Sequence, residues 1–185
     1  ANTAVTIDVS GAKSDSKGFT LEGGTGSGAD ILTGGAGVDI ITGGAQIDTI
    51  TGNGGADTIS GGAGNDIITG GSGNDIITID VGTDKVLDLG GSGSGGESDV
   101  VVIEANATLT ATDVISFTAT SDTTNKSTGA ANATLTAKAN TAVTIDVSGA
   151  KSDSKGFTLE GGTGSGADIL TGGAGVDIIT GGAQI

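Results

Sequence analysis

Residues 61–78 read GGAGNDIITGGSGNDIIT, which is nearly the same nine-residue unit written twice. Each unit begins with glycines, reaches an aspartate and continues with two isoleucines and a threonine. The interval extends well beyond this stretch, because seven aspartates follow one another at a spacing of nine: Asp30, Asp39, Asp48, Asp57, Asp66, Asp75 and Asp84. Self-similarity at a fixed period is the sequence signature of a repeat architecture.

Each nonapeptide combines a short strand with a turn. The residue two positions after each aspartate is aliphatic and stands between two outward positions, which is the alternation of a β-strand. The glycine-rich half suits a turn, because glycine adopts positive φ without steric cost. We therefore predict an all-β fold, a parallel β-roll or β-solenoid with two nonapeptides and 18 residues per turn. The same alternation places Ile31, Ile40, Ile67 and Ile76 on the outside.

An 18-residue turn separates the aspartates into two columns, one at each edge of the coil. Asp30, Asp48, Asp66 and Asp84 form one column, and the remaining three form the other. Carboxylates stacked about 5 Å apart repel one another by about 1 kcal/mol per pair in water and by more near protein. A divalent cation removes this repulsion, and Ca²⁺ accepts the carboxylate and carbonyl oxygens that such turns offer. Mg²⁺ demands stricter geometry, and Zn²⁺ prefers His or Cys, which the chain lacks.

The units GGAGNDIIT and GGSGNDIIT resemble the RTX (repeats-in-toxin, hemolysin-type) calcium-binding nonapeptide G-G-x-G-x-D-x-U-x. The resemblance covers about Gly23 to Leu87 and again Gly161 to Ile185, roughly half of the chain. It implies a right-handed parallel β-roll that binds several Ca²⁺ ions per repeat. It also implies a secreted bacterial protein that is exported by type I secretion and is extracellular or attached to the cell surface.

The resemblance also implies the ligands, which are motif aspartates and turn carbonyls. The side-chain ligands it implies are Asp30, Asp39, Asp48, Asp57, Asp66, Asp75, Asp84, Asp168 and Asp177, and the carbonyl ligands are those of Gly35, Gly37, Gly44, Gly55, Gly62, Gly64, Gly71 and Gly73. Three units depart from the motif. Gln46 replaces the third motif glycine before Asp48, two residues are added before Asp30, and the leading glycines are missing before Asp84.

A longer repeat contains the short one. Residues 1–47 recur without change at 139–185, an offset of 138 residues. We therefore expect a piece of a longer protein with tandem 138-residue units. The predicted segments are a β-rich segment at 1–22, an RTX β-roll at 23–87, a β-rich segment at 88–138, its second copy at 139–160, and the start of a second β-roll at 161–185.

The segments without nonapeptides still have the composition of strands. Predicted strands are Val5–Val9, Phe19–Glu22, Val100–Ile103, Val114–Thr120 and Ala133–Lys138, with loops at 10–18, 90–98 and 120–129. Two architectures fit these segments. The solenoid continues through the whole repeat, which we favour because parallel stacking hides strand edges, or a small antiparallel β-domain separates successive β-rolls.

The composition argues against several classes of function. The net charge of −15 argues against nucleic-acid binding, and no apolar run of about 18 residues is present for membrane insertion. Without His or Cys we expect no enzyme activity. The favoured hypothesis is a structural repeat of a calcium-stabilised filament, adhesin stalk or surface-layer protein that associates with neighbouring repeats or chains. The alternatives are a secretion and folding module of an exported enzyme or toxin, and a threonine face that binds ice or a polymer.

Overall fold

The computed structural model describes residues 3–12, 17–89, 98–114, 116–120, 122–127, 133–139, 142–151, 155–164 and 166–182. Within these ranges the regular secondary structure consists of β-strands, with no helix. None of the described residues therefore forms a helix that could cross a membrane. The all-β prediction is confirmed.

The described residues form eighteen short strands. In chain order they are β1 (Thr6–Asp8), β2 (Thr20–Gly24), β3 (Ile31–Thr33), β4 (Ile40–Ala45), β5 (Thr49–Gly54), β6 (Thr58–Ala63), β7 (Ile67–Ser72), β8 (Ile76–Ile79), β9 (Gly82–Val86), β10 (Val100–Ile103), β11 (Ala107–Val114), β12 (Ser116–Thr118), β13 (Thr124–Asn125), β14 (Ala133–Ala137), β15 (Thr144–Asp146), β16 (Thr158–Glu160), β17 (Ile169–Thr171) and β18 (Ile178–Thr180).

These strands belong to three parallel sheets, and alternate strands of the chain become neighbours in space. The long sheet has the order β1-β3-β5-β7-β9-β11-β14-β16-β18. The six-stranded sheet has the order β13-β10-β8-β6-β4-β2, and the three-stranded sheet has the order β12-β15-β17. Every strand pairing in the described residues is parallel. The described residues thus form a parallel β-solenoid.

In the nonapeptide part, the core is a stack of aliphatic side chains contributed by successive strands. The inward column of the long sheet contains Leu32, Ile50 and Ile68 in register, and the six-stranded sheet contributes Ile41, Ile59 and Ile77. All six side chains are fully buried. The isoleucines that come directly after Asp30, Asp39, Asp66 and Asp75 point outward, as predicted, and are 38–52% exposed. The nonapeptide therefore supplies one core layer per half-turn.

Turn length differs between the nonapeptide part of the solenoid, residues 30–84, and the rest. Between Asp30 and Asp84, stacked residues are 18 positions apart, as the motif predicts. Elsewhere the turn lengthens: Asp75 stacks on Asp99 at 24 positions, and Val143 stacks on Asp168 at 25. The described strands on either side of these longer turns remain in parallel register while the turn length varies.

The solenoid continues through the segments without nonapeptides, and the antiparallel alternative is wrong for the part of the chain described here. Two strand predictions need correction. The predicted strand 114–120 is divided between the end of β11 and β12, and most of β11 lies upstream of the predicted range. The predicted loop 120–129 contains the short strand β13. Of the predicted loops, residues 13–16, 90–97, 121, 128 and 129 lie outside the described ranges.

The turns depend on backbone conformations that favour glycine. Gly55, Gly64 and Gly73 occupy the third glycine position of their motifs and have φ of 126°, 154° and 128°. Gln46 stands at the same position of its own unit and has φ of 87°. A residue with a Cβ atom in this left-handed region is disfavoured by roughly 1–2 kcal/mol. The motif departure at Gln46 therefore places local strain in the turn before Asp48.

Replacing Gln46 with glycine should remove this strain. We expect Gln46→Gly to raise the free energy of unfolding by roughly 0.5–1 kcal/mol, the relief of the left-handed strain less the greater flexibility of unfolded glycine. Ala45→Gly is the matched control, because Ala45 has an ordinary negative φ, and it should lower stability. Urea denaturation of the calcium-loaded protein measures both. Equal losses of stability in the two variants would contradict the strain at Gln46.

Candidate metal centre

The motif aspartates form two continuous columns, one at each edge of the solenoid. In one column Oδ1 of Asp48 accepts the backbone N–H of Asp30 at 2.7 Å, and Oδ1 of Asp66 accepts that of Asp48 at 2.8 Å. In the other, Oδ1 of Asp57 accepts the N–H of Asp39, and Oδ1 of Asp75 accepts that of Asp57. The separation into two columns, predicted from the 18-residue turn, is confirmed.

These carboxylates are buried, and half of each inner carboxylate lacks a partner. The motif aspartates from Asp30 to Asp84 are at most 4% exposed. Five Oδ2 atoms are buried without a hydrogen bond, and they belong to Asp48, Asp57, Asp66, Asp75 and Asp84. Leaving a buried acceptor unsatisfied costs about 1–3 kcal/mol, and more when the group is charged. This row of orphaned oxygens marks where a cation is needed.

A backbone oxygen converges with each of several Oδ2 atoms beside a glycine that has no side chain. A Cβ atom added to Gly43 would lie 2.6 Å from Oδ2 of Asp48 and 2.5 Å from the carbonyl oxygen of Gly61. The same arrangement recurs at Gly34, where Oδ2 of Asp39 and the carbonyl of Gly52 lie at 2.5 and 2.6 Å. The first motif glycine therefore keeps open a space lined by one carboxylate and one carbonyl oxygen.

Burial and mutual repulsion within the columns disfavour ionised carboxylates. Burial, followed by repulsion from neighbouring aspartates, raises the pKa of Asp57 to about 6, of Asp75 to about 7 and of Asp84 to about 6. Burial also raises the pKa of Asp48 and Asp66. The one ion pair in the described part of the chain, Lys126 with Glu104, lies outside the columns. The described side chains thus leave the charge of the columns uncompensated.

The first unit of each column differs from the inner units. Oδ1 of Asp39 accepts the N–H of Phe19, and its Oδ2 accepts that of Gly35 at 2.7 Å. Asp177 repeats both contacts in the second copy, with Phe157 and Gly173. Asp168 likewise accepts N–H groups with both oxygens, from Val143 and Gly162. Backbone donors thus satisfy both carboxylate oxygens of these three aspartates.

Sequence reasoning missed several atoms of the site. Oδ1 of Asp99, 24 residues after Asp75, accepts the N–H of Asp75, and Asp99 is 2% exposed. Its position directly before a strand of valines was the available signal. The carbonyls of the first motif glycines also face Oδ2, whereas the predicted set names the second and third glycines. Of that set, Gly37, Gly44, Gly55 and Gly64 turn their carbonyls toward a glycine of the next turn, and Gly35 accepts the N–H of Gly54.

Comparison with protein families agrees with this geometry. The model of the RTX calcium-binding nonapeptide repeat matches four stretches of the chain, residues 20–50, 42–77, 51–86 and 158–185. Together they cover just over half of it. The chain belongs to the RTX calcium-binding nonapeptide repeat family. Searches of curated proteins and of solved structures returned no match.

The RTX repeats of this chain bind Ca²⁺, and the residues present fit that ion. The orphaned atoms are hard oxygens, which Ca²⁺ prefers, and Ca²⁺ tolerates the irregular mixture of carboxylate and carbonyl ligands found here. No group of three or more acidic side chains converges within the described residues. A site must therefore draw much of its coordination from backbone carbonyls, which the glycine-rich turns provide.

The raised pKa values predict a pH dependence of the calcium-free protein. A carboxyl whose pKa is higher in the folded state than its unfolded value of 3.8 favours folding at low pH, and this contribution is lost as the pH rises through the folded value. In chelator, strand signal should therefore be lost as the pH rises from about 4 to about 7. Excess Ca²⁺ should reverse this dependence, since it binds only ionised carboxylates. Circular dichroism at several pH values, in chelator and in Ca²⁺, measures both dependences, and the same pH dependence in the two would contradict the prediction.

Filling the space beside Asp48 should weaken calcium binding. In Gly43→Ala the new methyl group would meet Oδ2 of Asp48 and the carbonyl of Gly61, so we expect a higher calcium midpoint and lower stability. Gly54→Ala is the matched control, because the nearest atoms to its Cβ are Oγ of Ser72 at 3.3 Å and Cα of Ala36 at 3.8 Å. Isothermal titration calorimetry with Ca²⁺ measures the difference. Equal effects of the two alanines would exclude this space from the site.

Proposed function

We propose that this chain is a structural repeat of an extracellular protein whose solenoid is stabilised by calcium, such as a filament, an adhesin stalk or a surface-layer component. The observation that carries the proposal is the identical recurrence of residues 1–47 at 139–185 within one continuous solenoid. Repetition of a whole solenoid segment extends the length of a rod without adding a new type of site. RTX repeats are typical of secreted bacterial proteins, which supports an extracellular role and export by type I secretion.

We further propose which residues hold the ions. The orphaned Oδ2 atoms of Asp48, Asp57, Asp66, Asp75 and Asp84 would contribute carboxylate ligands, and carbonyls of the motif glycines would complete the coordination. Asp30, Asp39, Asp168 and Asp177 begin their columns and would rely on ions shared with the following turn. Bound Ca²⁺ would supply positive charge to oxygens that otherwise have no partner. The ions would then link successive turns at both edges of the coil.

The 138-residue unit would consist of a calcium-dependent part and a part that needs no metal. Residues 23–87 and 161–185 would form the calcium-binding β-roll. Residues 1–22, 88–138 and 139–160 would continue the solenoid mainly by side-chain packing: Asp99 extends one carboxylate column beyond Asp75, and buried Phe117 and Phe157 lie farther along the chain. This division agrees with the lysines, since six of the seven lie outside 23–87.

Folding of the acidic part would be coupled to the ion. Without Ca²⁺ a glycine-rich chain must order many flexible residues while burying unpaired carboxylates, and both terms oppose folding. Inside a cell, where free Ca²⁺ is very low, the segment would remain extended and suitable for export. At millimolar Ca²⁺ outside the cell, sites with Kd of about 10⁻⁴–10⁻³ M would fill and drive folding.

The RTX β-roll is a structural calcium-binding module, and no feature of the sequence points to catalysis. An attached enzyme elsewhere in a longer protein is the alternative that would use the same module for secretion. Near-identical tandem copies favour the structural role, because one folded module would serve a catalytic domain. The outward stripes of isoleucine and threonine on both sheets support lateral association of chains rather than binding of a polar polymer.

A charge-neutralising substitution in a column tests the metal role. We expect Asp66→Asn to raise the calcium midpoint of folding by about tenfold or more, equivalent to ~1.4 kcal/mol, because one ligand loses its charge. Asp8→Asn is the control: Asp8 is exposed, and its Oδ1 accepts the N–H of Ser10 outside both columns. Circular dichroism during calcium titration and chelation measures each midpoint. Strand signal that is unchanged in excess chelator at neutral pH in the unmodified chain would refute calcium-coupled folding of residues 23–87.

A further inference from the structure

The two copies of the repeated segment lie on different sheets. The identical stretches Thr6–Asp8 and Thr144–Asp146 form β1 of the long sheet and β15 of the three-stranded sheet. In the same way β2 belongs to the six-stranded sheet, whereas its copy β16 belongs to the long sheet. The pairs β3 with β17 and β4 with β18 show the same exchange. In all four pairs, one strand therefore lies on the long sheet and its identical copy lies on another sheet.

The strands of the long sheet give the number of turns between each strand and its identical copy. From β1 the chain returns to the long sheet six times to reach β14, and β15 follows half a turn later on the opposite sheet. The pairs β2 with β16, β3 with β17 and β4 with β18 give the same count. We infer that one 138-residue repeat advances the solenoid by six and a half turns, so that identical segments of successive repeats face opposite sides of the rod.

The cause lies in one turn that has three strands instead of two. After β11 the chain forms β12 on the three-stranded sheet, then β13 beside β10 of the six-stranded sheet, and then β14. Because of this additional strand, one repeat makes six and a half turns instead of a whole number of turns. The buried side chain of Asn125 fixes it there, donating a hydrogen bond to the carbonyl of Gly156 and accepting the N–H of Ser127. The next turn continues this corner, because Lys155 donates its N–H to Asn125.

The half-turn exchanges the two edges as well as the two faces. Asp39 precedes β4 of the six-stranded sheet, but its copy Asp177 precedes β18 of the long sheet. Asp177 therefore lies at the edge that carries Asp30, Asp48 and Asp66. In the tandem array of the proposed function, on which this consequence rests, each surface would recur on the same side after two repeats. At the interstrand spacing this is about 62 Å, with about 31 Å between opposite copies.

Such an array is two-sided. An adhesive or self-associating surface in one repeat is presented to the opposite side by the next, so a rod can engage partners on both sides. Any bend that the unequal loops of one repeat impose is opposed by the following repeat. The geometry thus points to a straight rod with equivalent sides, suited to lateral packing of further copies.

Cysteine pairs in the existing chain test the half-turn, because the chain has no native cysteine. Thr110 pairs with Thr134 on the long sheet, and Ser116 pairs with Thr144 on the three-stranded sheet. Paired positions on neighbouring strands lie within the Cα distance that a disulfide spans, about 4.4–6.8 Å. We expect T110C/T134C and S116C/T144C to form disulfides in Ca²⁺. The control pair S116C/T134C reports the alternative, in which every turn has two strands, β14 stacks on β12 and the number of turns is whole.

Tryptic mapping by mass spectrometry reads the result, since Lys126 or Lys138 lies between the two positions of each pair and places them on different peptides. Either of the first two disulfides, without the third, supports the half-turn. Formation of S116C/T134C, or of none of the three in folded protein, overturns it. The outcome is independent of calcium dependence and of secretion, so failure here and failure of the proposed function are distinguishable.

A tandem array with one cysteine per repeat tests the consequence. Lys17 and its copy Lys155 are exposed and follow strands on opposite sheets. Gold labels on Lys17→Cys in every repeat should alternate between the two sides of the rod in electron micrographs, about 31 Å apart along its axis. Labels on a single side would overturn the alternation even if the array folds and binds calcium.

Discussion

The buried carboxylate is the constraint on which the rest of this molecule depends. A solenoid made of small aliphatic side chains has a thin core, and each 18-residue turn buries two aspartates at its edges. One oxygen of each inner aspartate is used by the backbone of the preceding turn. The other has no partner among the described residues. Both the stability of the roll and its dependence on an external ion follow from that second oxygen.

The nonapeptide satisfies three separate requirements. Its aliphatic residue fills one layer of the core, and its aspartate caps the turn and leaves one oxygen toward a cation. Its glycines permit positive φ and leave room where a Cβ would collide with a carboxylate or carbonyl oxygen. Each requirement needs a neighbouring turn, because the hydrogen bonds and the converging carbonyls come from residues 18 positions away. A single unit therefore has little stability alone, which explains why the motif occurs in uninterrupted series.

The sequence predicted most of the structure of the nonapeptide part, residues 30–84, because the nine-residue period of the sequence equals one half-turn of the coil there. The spacing of nine gave the parallel coil, the inward isoleucines and the two columns of aspartate. It did not give the first-glycine carbonyls, since consensus glycines look alike until their backbone directions are known. Asp99 was not predicted for a different reason. It stacks on Asp75 across 24 residues, so it does not continue the nine-residue spacing of the motif aspartates.

The half-turn offset was also beyond the sequence, although its cause is small. Two residues, Thr124 and Asn125, form a strand inside a stretch that reads as a polar loop. Their pairing with β10 depends on buried hydrogen bonds of Asn125 that span 31 residues, to Gly156, and no local propensity encodes such contacts. Yet this corner decides on which sheet every later strand falls. In a solenoid, strand pairing fixes only which residues stack on the next turn. The number of strands and corners in each turn decides how many turns one repeat makes. Insertions or deletions of whole nonapeptides would each move the following repeat by half a turn, so the number of motif units in a repeat sets its phase as well as its calcium capacity.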